Sequence, residues 1–166
     1  MCLQFRKIFE KIAITSLVAN IEEYKRLRKQ FAFAYHPDKI IKGLRKENPD
    51  FYPKPSTSIP KEDGTYHFEP IIEGFLTEDE LIKAWNTCSD IVHAENPYAR
   101  RPHDYEKAKE LFPDWLTKIV VLLNHHSIIL SGGGYRVVGV MRWSWDCDIT
   151  EKPQVTCWEI HHQFKV

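Results

Sequence analysis

Residues 115–142 read WLTKIVVLLNHHSIILSGGGYRVVGVMR, and the change of pattern inside this stretch decides the fold. Up to Asn124, the residues Trp115, Leu116, Ile119, Val120, Leu122 and Leu123 recur at helical spacing. A stripe that wide predicts a helix central to the core. After Asn124 the side chains turn β-branched and aromatic, so HSIIL and YRVVGVMR read as strands, with SGGG as the hairpin turn between them. Further on, QVTCWEIHHQF alternates Trp158, Ile160 and Phe164 with polar residues, the pattern of a half-buried strand. The expected fold class is therefore α+β, with amphipathic helices over the N-terminal three-quarters and a small C-terminal antiparallel sheet.

Working back from this point, Thr77-Glu78-Asp79-Glu80 is a capping box, a hydroxyl followed three residues later by a carboxylate. It opens a helix whose apolar face is Leu81, Ile82, Trp85, Cys88, Ser89 and Val92, and which Asn96-Pro97 stops. Asp104 caps a further helix, expected to break at Pro113 and renew there. Residues 48–70 hold five of the ten prolines, so no regular helix fits there. This Pro-rich stretch is expected to be an ordered loop docked through Phe51, Tyr52, Tyr66 and Phe68. The expected organisation is one domain over 1–166, with a helical part over 1–125 and a sheet part over 126–166.

At the N-terminus, Phe5, Ile8, Phe9, Ile12, Ala13 and Leu17, then Ile21, Tyr24, Leu27, Phe31 and Tyr35, predict one long or two consecutive amphipathic helices over 3–35. A short helix is expected to resume over 38–47. The intervening YKRLRKQFAFAYHPDK resembles the second helix of a chaperone J-domain and its His-Pro-Asp loop over about 16 residues. That resemblance implies contact with a partner chaperone's ATPase domain, assisted by Lys25, Arg26, Arg28 and Lys29. The family's Tyr-x-x-Leu-Gly is missing upstream, and its third-helix packing residues are missing downstream. The J-domain reading is therefore set aside. His36-Pro37-Asp38 is read instead as a helix end, where basic residues suit the macrodipole and Pro37 disfavours helical geometry at His36.

The totals bound the class. A chain of 166 residues buries enough surface to fold without disulfides or metal. Residues 1–54 carry 12 Lys/Arg against 6 Asp/Glu, and residues 55–166 carry 11 against 17. This asymmetry admits nucleic-acid contact at the basic end, but packing of the two halves on each other, within or between chains, is the preferred reading. Four cysteines at wide spacing, Cys2, Cys88, Cys147 and Cys157, fit reduced thiols in the cytoplasm. The apolar run IAITSLVANI over 12–21 is too short to span a membrane, and Glu10 and Lys11 beside it make a poor signal peptide.

Candidate chemistry concentrates in NTCSDIVHAENPYARR, 86–101. On a helix Asn86, Asp90 and His93 form a polar ridge, in which Asp90 can orient the ring of His93. Arg100 and Arg101 follow and suit an anion. The catalytic candidates are thus His93, Asp90 and Arg100, and the ligand-binding candidates Trp85, Asn86, Asn96, Tyr98 and Arg101. The competing reading is a helix C-terminal histidine held by Asp90, with no chemistry.

The segment GFLTEDELIKAWNTCSDIVHAENPYA, with FYPKP before it and LLNHH after it, is similar to uncharacterised bacterial proteins of integron gene cassettes and other mobile DNA over about 50–130. That resemblance implies a cytosolic, often homo-oligomeric protein with a small-molecule pocket and no known activity. A looser likeness is to HEPN-type helical ribonucleases, in which an Arg precedes the active histidine by four to six residues. His93 has no such Arg, and seven residues separate Arg28 from His36.

The metal donors His125, His126, Cys157, His161 and His162 lie on strand-like segments where adjacent residues face opposite ways, so no metal site is expected. SGGGY lacks the Lys-Ser/Thr and following helix of a phosphate loop, WSWDCDITE lacks the glycine of a calcium loop, and no cofactor is expected. The leading expectation is a binding module for a small molecule or protein partner. The alternative is a His93-dependent hydrolase acting on a phosphodiester, of the HEPN-like ribonuclease kind.

Overall fold

A computed structural model describes residues 1–19, 36–92, 104–130, 135–141 and 154–159. In chain order these form α1 (Cys2–Ala19), α2 (Pro37–Glu47), β1 (Lys54–Pro60), β2 (Tyr66–Pro70), α3 (Glu78–Val92), α4 (Tyr105–Asn124), β3 (His125–Ile129), β4 (Tyr135–Val140) and β5 (Gln154–Glu159). The class is α+β, as the sequence predicts. The five strands are antiparallel in the order β2-β1-β3-β4-β5.

The principal correction concerns the Pro-rich stretch. Its residues 54–60 and 66–70 form a β-hairpin that completes the sheet rather than a loop, so the sheet is not wholly C-terminal. The hydrogen-bond alternation explains how the prolines fit. Ile71 N–H donates to Pro55 O and Lys61 N–H to Thr65 O, so the odd-numbered residues of β1 bond toward β2. Pro60, being even, turns its missing N–H to the other side, where β3 ends opposite Ser56. Pro70 turns its own outward from the edge strand. Only Pro55 lies on the bonded side, and it takes part through its carbonyl. Proline is tolerated in a sheet where the ladder does not ask for its N–H.

Two helix expectations also change. His36 is the N-cap of α2, with Pro37 in its first turn, so His36-Pro37-Asp38 opens a helix. Proline suits a first turn because its absent N–H would have no partner there. Pro37, Ile40, Ile41 and Leu44 make the buried stripe of α2, close to the short helix expected over 38–47. The expected helix over 3–35 is present as α1 to Ala19, and 20–35 lie outside the described residues. At Pro113, α4 continues unbroken. A mid-helix proline costs ~3 kcal/mol. Packing on both sides of it outweighs this, since Ala108 and Trp115 are both buried and Phe112 stacks on Phe5 at 5.2 Å.

The capping box at Thr77 and the N-cap at Asp104 form as read. Glu80 N–H donates to Thr77 Oγ1 at 3.3 Å and Thr77 N–H to Glu80 Oε2 at 3.0 Å, while Asp104 accepts from Lys107 N–H at 3.0 Å. The core joins Phe5, Phe9 and Ile12 of α1 to Ile41 and Leu44 of α2, Leu81 and Trp85 of α3, and Trp115 and Leu122 of α4. Phe51 and Tyr52 dock into it as expected, whereas Tyr66 is exposed. The basic and acidic halves meet where Arg45 bonds Glu78 at 2.8 Å and Asp79 at 3.2 Å. Helix α4 packs on β1, β3 and β4, and α1 faces the sheet across a cavity. No helix among the described residues is long and apolar enough to cross a membrane.

Candidate functional site

The β3–β4 register builds the site. It pairs His126 with Gly139 and Ile128 with Val137, so these four residues share the sheet face turned toward α1. Between that face and α1 lies a cavity of about 380 Å³, with Ile8, Ile12, Leu123, Ile128, Val137 and Val140 among its walls. Lys11, Thr15 and Met141, all exposed, mark its rim. His126 is the only titratable side chain among the cavity's inner residues.

The His126 ring is fixed from two sides. Its Nδ1 lies 3.0 Å from Leu123 O and therefore donates, which in the neutral ring leaves the lone pair on Nε2. It also lies flat on Gly139: a Cβ there would stand 2.6 Å from His126 Cε1 and 2.9 Å from Nε2. A side chain at 139 would displace the ring, which occupies the space of the missing Cβ. Burial pushes the imidazole below its ordinary range, the bond to Leu123 opposes this, and His125 next to it adds to the lowering. At neutral pH the cavity thus holds an uncharged acceptor in an apolar surround.

The adjacent His125 faces the other way. β1 and β3 pair Pro55 with His126, so Ser56 stands opposite His125. Ser56 Oγ lies 2.9 Å from His125 Nδ1, and the Phe68 ring lies 5.1 Å from the imidazole. The pair separates two clefts. One, of about 210 Å³, includes Phe68, Pro70, Ser127 and Val138; the other, of about 480 Å³, includes Thr57, Ser58, Val121 and Asn124.

The residues singled out from sequence fare differently. Trp85 is 5% exposed and committed internally. Its Nε1 donates to Glu10 at 3.1 Å, Arg6 lies over its ring at 5.1 Å, and His36 meets it edge-on at 5.0 Å. Trp85 therefore lines none of these three pockets. Asn86 and Asp90 are exposed on the outer face of α3. His93, Asn96, Tyr98, Arg100 and Arg101 lie outside the described residues. Cys88 is buried, and burial together with the neighbouring Cys2 thiol pushes it up to about 12, which keeps it protonated. Among the described residues no group of three metal-ligating side chains converges.

Sequence reasoning missed both sites. A signal for His126–Gly139 did exist: a hairpin symmetric about Ser131–Gly134 pairs these two residues. Nothing local marks Ser56.

The fold and its cavity define an α+β protein with an apolar cavity, open at its rim, between a helix and an antiparallel sheet. No family model matches the chain, and neither the curated proteins nor the solved structures include a match.

Proposed function

We propose that this protein is a small-molecule-binding module whose ligand occupies the cavity between α1 and the sheet. The observation that carries this reading is an apolar cavity of about 380 Å³, open at its rim, with one half-buried, neutral imidazole held in a fixed orientation. Small-molecule sites are concave, mostly apolar, roughly 300–1,000 Å³ in volume, and carry few placed polar groups. The ligand class is a compact apolar molecule with one hydrogen-bond donor, which the His126 Nε2 lone pair accepts. The resemblance of residues 50–130 to cassette proteins of mobile DNA supports the same reading in a cytosolic, homo-oligomeric bacterial protein.

The test uses p-cresol and toluene, followed by methyl NMR at pH 7.5. Both should perturb Ile8, Ile12 and Ile128, with p-cresol about 5–10-fold tighter, the worth of one hydrogen bond. The preference should vanish in His126→Phe, and Met141→Trp at the rim should weaken both by at least about tenfold. Binding of neither compound, or binding indifferent to Met141→Trp, refutes the assignment. Native mass spectra of the purified protein would identify a resident ligand by its added mass.

A further inference from the structure

We propose that Ser56 and His125, on the sheet face opposite the apolar cavity, form a nucleophile–base pair that cleaves carboxylic esters of short acyl chains. The inference is independent of the binding module, since it uses other side chains on another surface. Ser56 Oγ lies 2.9 Å from His125 Nδ1, within reach of direct proton transfer. The strand register holds that distance, because Ser56 and His125 are cross-strand neighbours on one face.

Structural need does not explain the pair. Both residues are only half-buried, so water could satisfy either polar group without the other. The contact is instead placed where two clefts meet. The smaller, about 210 Å³ with Phe68, Pro70 and Val138 among its walls, suits a short acyl group. The larger, about 480 Å³, suits the departing alcohol. Phe68 against the imidazole at 5.1 Å limits how far the ring can swing from Ser56.

With the ring proton on Nε2, Ser56 Oγ–H donates to Nδ1. Oγ then bonds to the ester carbonyl carbon as its proton passes to His125 Nδ1. The Ser127 hydroxyl, two residues from His125 on the same face and among the walls of the smaller cleft, is the donor assigned to the developing oxyanion. The C–O bond breaks, and the alcohol leaves with the proton from His125. Water then gives its proton to His125, attacks the acyl-serine, and releases the carboxylic acid as Ser56 regains its hydrogen.

The test is labelling of the intact protein with an alkyl fluorophosphonate, which bonds through phosphorus to an activated serine oxygen and loses fluoride. Peptide mapping of the wild-type protein should place one label on Ser56. His125→Gln should slow labelling about 10²–10⁴-fold, the usual contribution of a general base. His125→Asn provides the same test if the longer amide fails to fold, with circular dichroism as the check. Ser56→Ala should abolish both the label and hydrolysis of p-nitrophenyl acetate above the buffer rate. No label at Ser56, or a label whose rate survives loss of the imidazole in a folded variant, overturns the proposal.

Discussion

Gly139→Ala is the sharpest probe of the cavity, because its effect should change sign with the residue at 126. A Cβ at 139 would lie 2.6 Å from His126 Cε1 and 2.9 Å from Nε2, below any real carbon contact, so the imidazole must move. Movement strains its bond to Leu123 O, and overpacking of this kind costs about 1–3 kcal/mol. Alanine in place of glycine within a strand recovers roughly 0.5–1 kcal/mol through backbone entropy. The balance runs from about neutral to a destabilisation of about 2.5 kcal/mol. In a His126→Ala background the clash has no partner, and the same substitution should stabilise by roughly 0.5–1 kcal/mol. The four proteins of this double-mutant cycle can be compared by urea unfolding, read at constant m. An interaction term of about 1–3 kcal/mol is expected, carried entirely by the ring on the glycine. If Gly139→Ala is equally tolerated in both backgrounds, the ring does not lie on Gly139 and the cavity lacks its fixed acceptor.

Two further outcomes follow from the same structure. The folded-state pKa of His126 lies below its unfolded value, so the folded form binds fewer protons in that window. Stability should therefore be full above about pH 6.5, fall as pH drops through the depressed folded value, and lose this slope in His126→Phe. Urea midpoints between pH 7.5 and 4.5 check it, and an equal slope in the variant excludes His126 as the cause. Tyr52 donates its hydroxyl to Leu76 O at 2.9 Å in a buried setting, where burial first and then Glu78 and Glu80 push its pKa up. Tyr52→Phe should cost about 1–2 kcal/mol, since it leaves that carbonyl without the bond. A thermal midpoint unchanged from wild type would place the Leu76 carbonyl in contact with water.

Much of this architecture was legible from residues close together in the chain. Thr77 and Glu80 mark a helix start because the cap is a contact three residues long. Phe5, Phe9 and Ile12 mark a buried face because helical periodicity is local. The switch at Asn124 from a 3.6-residue pattern to β-branched runs is likewise local, and it placed the end of α4 and, within a residue, the start of β3. Even the pairing of His126 with Gly139 follows from a hairpin symmetric about its glycines.

Other features were decided only when distant segments met. Residues 54–70 look like a loop by composition. They become strands because β3 supplies a partner and because the prolines fall where the ladder needs no N–H. The helix through Pro113 survives through packing on α1, more than ninety residues earlier. Trp85, on an apolar face in the sequence, turns out to be bound to Glu10 and covered by Arg6. Ser56 meets His125 only because β1 lies beside β3, a pairing that spans 69 residues and leaves no periodic trace. The sequence by itself determined the helical faces and caps and the β3–β4 hairpin, since these answer to spacing along the chain, but not the β1–β2 hairpin or the continuity of α4. The tertiary structure alone decided the site, since a cavity or a cross-strand pair exists only where the folded backbone closes distances that sequence order leaves open.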